Sequence, residues 1–423
     1  MNNNDFTYIH EIWTRGQDFF GNTSPLSLLE KYGSPLYVYN ERILRSRCRE
    51  LKGLVDLPYF GVNYSAKANT NPALLKIIRE EGLYADAMSP GEIYLELKAG
   101  FKPEEILFIC NNVSDDELHY AIGAGVLVSV DSISQLERYG RLNPGGRVAV
   151  RINPGIGAGH HEKVITAGAN TKFGVDPRLS AELHAALERH DLRLAGLNQH
   201  IGSLFMKGDE FIEAAQFLLS FAEEFPHLEF IDFGGGFGIP YHKEDGEKRL
   251  DLSAFGTRLR DVVVPWVHKT GKRIKIKIEP GRYTVAECGV LLGRVYALKT
   301  NGGRSYAGTD LGFNVLIRRA MYDAHHDIEV YAATERGQGA KEPVTVVGNI
   351  CETGDIMAKD RMLPRLMEGD ILGVLDAGAY GMVMASNYNC RLRPAEVLIT
   401  TGGGDVLIRS RDTLEDLARQ FPD

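Results

Sequence analysis

The segment YFGVNYSAKAN (residues 59–69) is an apolar, aromatic-rich run that ends close to Lys67. Three later segments also end strand-like runs: NQHIGS (198–203), DFGGGFGIPY (232–241) and KIEPGRY (277–283). Together they bring an amine, an imidazole, a glycine turn and a carboxylate to strand ends. Because the strand ends of a closed parallel barrel converge on one face, the sequence predicts a single site built from these groups.

Eight short apolar, β-branched or aromatic runs lie between about residues 58 and 280. They are PYFGVNYSA, YADAM, ILFI, VLVSV, RVAVRI, LAGLNQH, LEFIDF and RIKIKIE. Between them, segments such as PALLKIIREEG and SDDELHYAIGAG have the three-and-four apolar spacing of amphipathic helices. Alternating strands and helices predict a parallel sheet, and eight such units predict a (β/α)8 barrel.

Candidate site residues follow six of these runs, at or just past the point where each run ends. They are Lys67, Ser89, Asn111, His200, Gly234 to Gly236 and Glu279. The loops after the strands of such a barrel converge at its carboxyl end, where active sites form. A scattered set of surface residues would not sort in this way, so the sequence predicts an active site on that face.

The pattern changes after about residue 296 to strands separated by glycine-rich turns, as in GDILGVLDAG and AEVLITTGGGDVLIRS. The chain is therefore predicted to be an α/β protein, with a TIM-like (β/α)8 barrel over residues 41–295. A β-rich domain, a sandwich or a barrel, would comprise residues 296–423 together with residues 1–40. The strand-like PLYVY (35–39) is the part of the amino-terminal segment that could pair with it.

Composition favours a small-molecule partner and a cytoplasmic location. The 423 residues are 44% hydrophobic and carry a formal charge of −8, which argues against nucleic acid or an anionic membrane as the main partner. The five cysteines are scattered and form no CxxC pair, which is typical of a reducing compartment. We find no signal-peptide pattern and no apolar run of the roughly 18 residues that a membrane helix needs.

Each candidate residue also has an ordinary structural interpretation. Lys67 could be a salt-bridged lysine, or a partly desolvated amine that bonds to an aldehyde. The glycines at 234–236 could simply make a tight turn, or could bring backbone amides close to a phosphate. Glu279 could be a surface carboxylate or the partner of a protonated ring nitrogen, and His200 a core histidine or a ring-stacking group.

Two histidine pairs invite a metal interpretation: His160 with His161, and His325 with His326. Adjacent histidines point in different directions and seldom share one ion. No carboxylate and cysteine set with ligand spacing surrounds either pair. The sequence therefore predicts no metal site.

Seven motifs in consistent order resemble those of the alanine-racemase-type pyridoxal phosphate decarboxylases, and most closely the diaminopimelate decarboxylase family. They are YSAKAN, SPGE (89–92), NQHIGS, GGGFG, EPGR, CETGD (351–355) and DAGAYGMVMASNYNCRLRPAEVLI (376–399). The resemblance runs from about residue 30 to residue 410. It implies pyridoxal 5′-phosphate as cofactor and decarboxylation of meso-2,6-diaminopimelate to L-lysine, the last step of lysine biosynthesis.

The resemblance also implies roles for individual residues. Lys67 would bond covalently to the cofactor, His200 would stack on its ring, and Glu279 would pair with its ring nitrogen. The implied cofactor-binding residues are Lys67, His200, Ser203, Gly235, Gly236, Glu279, Gly281, Arg282 and Tyr380. The implied substrate-binding residues are Arg282, Arg318, Tyr322, Glu352 and Tyr380. Cys351, Lys67 or His200 would return the proton after loss of carbon dioxide.

Family members are homodimers with shared active sites, so the partner chain would lend Cys351 and Glu352. The sequence departs from the family pattern at Tyr283, at Arg319 and over TDLGFN (309–314), which could reshape the distal substrate pocket. The extra arginine could be a second carboxylate contact or a solvated surface residue.

The alternatives from the same fold are a decarboxylase of ornithine, lysine, arginine, carboxynorspermidine or a carrier-bound amino acid, and an amino-acid racemase. Arg318 and Glu352 count against most of these decarboxylases, and the Cys351 loop counts against a racemase. A catalytically inactive homologue is the alternative from another class. Its expected signature is loss of the lysine or of the phosphate site, and both are kept here.

Overall fold

The structure, a computed structural model, describes residues 7–57, 59–159, 167, 171–272, 274–332, 339–419 and 421–422. The chain divides into two compact units. The β-rich unit comprises Met1–Leu44, Pro240–Lys248 and Val285–Asp423, and the barrel unit comprises Arg45–Ile239 and Arg249–Thr284. The sequence-based domain ranges stay predictions. The compact units differ from them chiefly in placing residues 240–248 and 285–295 with the β-rich part.

Four elements precede the first barrel strand: β1 (Thr7–His10), α1 (Pro25–Tyr32), β2 (Leu36–Asn40) and α2 (Glu41–Lys52). Eight parallel strands then close a barrel. They are β3 (Phe60–Ser65), β4 (Tyr84–Ala87), β5 (Ile106–Ile109), β6 (Leu127–Val130), β7 (Arg147–Arg151), β9 (Arg193–Asn198), β11 (Phe230–Asp232) and β12 (Lys275–Ile278). The ring closes where β12 pairs with β3 through Ile276 and Phe60. Each strand lies within one of the eight predicted runs or overlaps it, so the predicted (β/α)8 barrel is confirmed.

Helices alternate with these strands. They are α3 (Pro72–Glu80), α4 (Pro90–Ala99), α5 (Asp115–Gly123), α6 (Ile133–Leu142), α7 (Ser180–Arg189), α8 (Asp209–Phe221) and α9 (Leu252–Thr270). Most begin at a polar capping residue that satisfies a free backbone amide of the first turn. Ser89 is such a residue, because its hydroxyl accepts a hydrogen bond from the amide of Glu92. This strand-end serine therefore starts helix α4.

Short elements complete the barrel unit. A pair of two-residue strands, β8 (Ala158–Gly159) and β10 (Gly202–Ser203), lies among the loops. Single turns of 3₁₀ helix occur at Ala66–Ala68, Pro103–Glu105, Pro177–Leu179 and Ala222–Glu224.

The buried side chains of the barrel strands are of two kinds. Leu107, Ile109, Ala149, Ala195 and Phe230 form a hydrophobic cluster on β5, β7, β9 and β11. Gly196 leaves room for the Phe230 ring, which a β-carbon at that position would overlap. Polar and charged side chains are also buried near the carboxyl ends of the strands, among them Asp86, Arg151, Asp232 and Glu279.

The β-rich unit contains a ten-stranded sheet. Besides β1 and β2, its strands are β13 (Gly289–Asn301), β14 (Arg304–Thr309), β15 (Ile328–Ala332), β16 (Lys341–Val347), β17 (Ile356–Pro364), β18 (Ile371–Val374), β19 (Ala395–Ile399) and β20 (Asp405–Arg409). Strand β2, which includes most of PLYVY, pairs with both β13 and β19. The remaining helices are α10 (Arg282–Val285), α11 (Arg318–Tyr322) and α12 (Leu414–Ala418), with 3₁₀ turns at Met382–Met384 and Tyr388–Cys390.

Candidate active site

Lys67 lies in the 3₁₀ turn that follows β3, half-buried between two fully buried alanines. Ser65, the last residue of β3, contacts residues at the ends of β4 and β12. Its hydroxyl donates to Asp86 at 2.7 Å and lies 3.1 Å from the carbonyl oxygen of Glu279. The turn that carries the lysine is therefore anchored to the ends of two other barrel strands.

The glycines after β11 pass between two strand ends. A β-carbon on Gly234 would overlap the carbonyl of Gln199, and one on Gly235 would overlap the carbonyl of Glu279. Gly234 and Gly236 also have positive φ angles of 78° and 107°, which side chains disfavour. The amide of Gly235 donates to Nδ1 of His200 at 3.1 Å, which leaves the imidazole proton on Nε2.

Glu279 is 5% exposed at the end of β12. Within the described part of the chain, its Oε1 atom has no hydrogen-bond partner. Burial, together with the carboxylates of Asp232 and Asp86, raises the pKa of Glu279 well above its usual range. Burial therefore favours the protonated form of this side chain more than is usual for a glutamate, and one of its carboxyl oxygens is unsatisfied among the described residues.

Arg282 and Ser203 meet at the same end of the barrel, where the guanidinium donates to the serine hydroxyl at 3.1 Å. Gly281 packs closely under the lysine turn, since a β-carbon there would lie 3.2 Å from the β-carbons of Ala68 and Ser65. The structure thus brings the predicted cofactor residues of the barrel unit to one end of the barrel: Lys67, His200, Ser203, Gly235, Gly236, Glu279, Gly281 and Arg282.

The other predicted site residues lie in the β-rich unit. Arg318 starts α11 and is 2% exposed, and Tyr322 ends the same helix half-buried. Tyr380 is half-buried with a φ angle of 54°, in the turn that follows β18. Cys351 and Glu352 are exposed in the loop between β16 and β17.

The Cys351 loop is held by the segment at Tyr388 and Asn389. The Cys351 amide donates to the side-chain oxygen of Asn389 at 3.0 Å, and the Asn389 amide group donates to the Cys351 sulfur at 3.2 Å. The Tyr388 hydroxyl donates to Glu352 at 2.7 Å. Both residues are therefore presented together on an ordered loop.

Comparison with known proteins agrees with this arrangement. Residues 42–286 match the family described as "Pyridoxal-dependent decarboxylase, pyridoxal binding domain". The chain is 42% identical over 418 residues to the diaminopimelate decarboxylase of Methanothermobacter thermautotrophicus, covering 97% of this chain and 96% of that protein. It is 35% identical to the diaminopimelate decarboxylase of Escherichia coli K12, covering 93% and 94% of the two chains.

The chain belongs to the diaminopimelate decarboxylase family. Among solved structures, that of diaminopimelate decarboxylase from Helicobacter pylori complexed with L-lysine superposes with a TM-score of 0.86 at 30% identity, covering 94% of this chain and 98% of that one. A lysine/ornithine decarboxylase from Vibrio vulnificus superposes with a TM-score of 0.76 at 21% identity, and at that identity it shares the fold alone.

Two inward charged residues of this family member escaped the sequence-based reasoning. Arg151 ends β7, is buried, and donates to the carbonyl of His200 at 3.3 Å. Asp86 lies near the end of β4, where burial raises its pKa while Lys67 opposes the rise. Both lie within the predicted strand runs RVAVRI and YADAM, and a charged residue within such an apolar run is the signal that could have found them.

Each departure from the family pattern makes a hydrogen bond or an ion pair in the structure. Tyr283 donates to Glu50 of α2 at 2.7 Å, and burial together with Glu50 raises its pKa to about 12. Arg319 pairs with Asp323 at 2.9 Å, one helical turn along the chain. The amide of Phe313, within TDLGFN, donates to Asp355 at 2.7 Å. Each departure thus has a structural partner within its own unit.

Of the two histidine pairs, the structure describes the pair at His325 and His326. Nε2 of His325 donates to Asp327 Oδ1 at 2.8 Å, and the His325 ring stacks on His242, with ring centroids 3.9 Å apart. His326 contacts Arg318 and the carbonyl of Leu375. His160 and His161 lie outside the described residues. No cluster of three or more metal-ligating side chains occurs within the described ranges.

Over those ranges, no helix has the length and apolar character needed to cross a membrane.

Glu96 in α4 predicts an unusual pH dependence of stability. It is fully buried, and neither carboxyl oxygen has a hydrogen-bond partner among the residues described. Burial, with Asp86 and Glu92 nearby, raises its pKa well above the usual range. Above the ordinary pKa the folded protein binds more protons than the unfolded chain, so stability falls as pH rises towards the folded-state value.

We expect Glu96→Leu to raise the free energy of unfolding by about 1–3 kcal/mol near neutral pH, because an unsatisfied buried group is removed. Urea denaturation between about pH 5 and pH 8 checks this, and the gain should grow with pH. Glu96→Gln is the control: it should lose the pH dependence while keeping an unsatisfied polar group. A Leu variant less stable than wild type across this range would refute the expectation.

Proposed function

We propose that this chain catalyses the pyridoxal phosphate-dependent decarboxylation of meso-2,6-diaminopimelate to L-lysine and carbon dioxide, as the last step of lysine biosynthesis. The observation that carries the proposal is the convergence of Lys67, the glycine turn at 234–236 and Glu279 at one barrel end. That convergence occurs in a chain whose relatives named diaminopimelate decarboxylase match it over more than nine tenths of its length.

The residues present fit pyridoxal phosphate. Lys67 offers the amine for covalent attachment. The backbone of the tight turn at Gly235 and Gly236, where a β-carbon would overlap neighbouring atoms, is proposed to lie against the phosphate. Ser203, Gly281, Arg282 and Tyr380 are proposed as further phosphate and cofactor contacts. The unsatisfied Oε1 of Glu279 fits a ring nitrogen. When bound, the cofactor supplies an electron sink for the charge left by departing carbon dioxide.

Glu279 is proposed to face the ring nitrogen. Burial raises the pKa of this carboxyl, so a proton held there could be shared with a basic nitrogen placed against Oε1. A Glu279 carboxylate would stabilise a protonated ring nitrogen, because a nearby opposite charge favours the charged form of a buried group. His200 stays oriented for stacking because the Gly235 amide holds its Nδ1.

The proton returned to the substrate comes from Cys351 or Lys67 in this proposal. Burial, together with the positive charges of Lys67 and Arg151, lowers the pKa of His200 well below its usual range. A neutral imidazole is a poor acid but a good stacking partner. The structure therefore favours His200 as a ring-binding residue over His200 as the acid.

Substrate recognition is proposed to use both ends of the molecule. Arg318, Arg282, Tyr322 and Tyr380 would hold the distal carboxylate, and Glu352 would hold the distal ammonium. A guanidinium fork matches the geometry of a carboxylate, which a substrate that ends in an amine alone does not offer. A clamp of this kind selects diaminopimelate over ornithine or lysine.

The test is a parallel assay of the purified protein loaded with pyridoxal phosphate. Meso-diaminopimelate, L-ornithine, L-lysine and L-arginine are supplied separately, and carbon dioxide and the amine product are followed. We expect L-lysine to form from diaminopimelate, with the other three substrates at least about 100-fold less efficient, since unpaired polar groups penalise a mismatched ligand. Preferred turnover of another substrate would refute the assignment while leaving the fold and cofactor.

We also propose a cytoplasmic homodimer with shared active sites. The exposure of Cys351 and Glu352 suits residues that are lent to a partner subunit, and the five cysteines are all free thiols. Mixing inactive Lys67→Ala and Cys351→Ala proteins, followed by subunit exchange, should restore up to about one quarter of wild-type activity, because half of the dimers would then contain one intact site. Recovery of no activity after proven exchange would contradict shared sites.

A further inference from the structure

Arg318 is held by a buried cluster in the β-rich unit. Its Nη1 atom donates to the hydroxyl of Tyr241 at 2.9 Å and lies 2.8 Å from Nε2 of His326. The guanidinium carbon also lies over the Tyr241 ring, 4.7 Å from its centroid. All three side chains are buried. The arginine head is therefore constrained from two sides by residues that have no role in the proposed chemistry.

His326 is itself fixed to the main chain. Its Nδ1 lies 2.7 Å from the carbonyl oxygen of Leu375, the residue after β18. A carbonyl only accepts hydrogen bonds, so Nδ1 carries the proton. The lone pair of Nε2 then accepts from Arg318. One imidazole thus links a fixed backbone carbonyl to the guanidinium.

We propose that His326 is a positioning residue that orients Arg318 to recognise the distal carboxylate of the substrate. The inference rests on the proposed function, in which Arg318 is part of the carboxylate clamp. An arginine side chain has several rotatable bonds, and holding them before a ligand arrives removes an entropic cost of binding. Tyr241 supports the flat face of the guanidinium while His326 sets its rotation. His326 therefore acts on specificity and not on the decarboxylation step.

The test compares two inhibitors that differ by one carboxylate: L-lysine, which carries it, and cadaverine, which lacks it. In His326→Leu holoenzyme we expect the inhibition constant of L-lysine to rise roughly ten- to hundredfold, the cost of losing a hydrogen bond to a charged group. The constant for cadaverine should stay within about twofold. KM for meso-diaminopimelate should rise together with the inhibition constant of L-lysine, while kcat should change little.

The matched control is His325→Leu, one residue away. His325 contacts Asp327 and Arg361 and stacks on His242. The His325→Leu substitution should leave the ratio of the inhibition constants of L-lysine and cadaverine unchanged. His326→Gln should restore part of the preference for L-lysine, because its amide offers both an acceptor and a donor. Should His326→Leu fail to fold, Tyr241→Phe removes the other contact to Nη1 and should weaken L-lysine selectively.

Parallel weakening of both inhibitors, or no change in either, would overturn the role of His326. That result is distinct from failure of the proposed function, which would appear as absence of diaminopimelate turnover in the wild-type enzyme. Selective weakening of L-lysine in an enzyme that forms L-lysine from diaminopimelate would establish the positioning role.

Discussion

Replacing Lys67 with alanine is expected to abolish turnover of diaminopimelate and to remove the visible absorbance of lysine-bound cofactor. Lys67 is the proposed amine for covalent attachment, and its neighbours on the same turn, Ala66 and Ala68, carry no amine that could replace it. We expect a loss of about 10³-fold or more in kcat/KM, as for removal of a nucleophile or of a general acid–base group. Steady-state kinetics and an absorbance spectrum of the reconstituted protein measure both effects.

Lys76→Ala is the matched control for this substitution. Lys76 is exposed on α3, a few residues along the chain, so its removal should leave both kinetics and spectrum at wild-type values. The far-ultraviolet circular dichroism of the two variants should be identical. If the Lys67 variant bound cofactor and kept wild-type turnover, the assignment of the covalent lysine would be wrong.

The second large effect is expected from Gly235→Ala. A methyl group at this position would overlap the carbonyl oxygen of Glu279 and would lie 3.5 Å from Cε1 of His200. The overlap is with backbone, which cannot rotate away, so the turn must move. Overpacking of this kind typically costs about 1–3 kcal/mol, and here it would displace residues proposed to hold the phosphate and the ring nitrogen. We expect cofactor affinity to fall about 100-fold, the order that such a cost implies.

Fluorescence titration of the cofactor-free protein measures this affinity directly. Gly123→Ala makes the same chemical change at the end of α5, where a β-carbon has nothing within 4 Å. That control should bind cofactor normally and unfold at about the wild-type temperature. Wild-type cofactor affinity in Gly235→Ala would mean that the glycine turn does not form the phosphate cradle.

Sequence periodicity was sufficient to predict the barrel, because each strand is indicated by a short apolar run of its own. Runs such as ILFI and RVAVRI became β5 and β7 near their predicted bounds. Alternating strands and helices leave few topologies, and a parallel closed sheet is the one that eight such units form. The resemblance of motifs such as YSAKAN and GGGFG then carried the family, which the comparisons bear out.

Contacts between residues far apart along the chain could not be predicted from the sequence. The pairing of Tyr283 with Glu50 joins residues separated by more than 200 positions, and no local pattern indicates it. The same holds for Arg151, whose inward direction appears only when β7 takes its place in the ring. Ser89 shows the opposite case, since a residue predicted for the site serves as a helix cap.

The sequence by itself therefore determined the kinds of elements, their order and the end of the barrel at which the candidate residues Lys67, His200 and Glu279 lie, because these depend on spacing along the chain. Only the tertiary structure decided which groups meet. It placed an unsatisfied carboxyl oxygen at Glu279, a proton on Nδ1 of His326 and a buried acid at Glu96. Those properties depend on desolvation and on hydrogen-bond partners distant in sequence, and both exist only after the chain has folded.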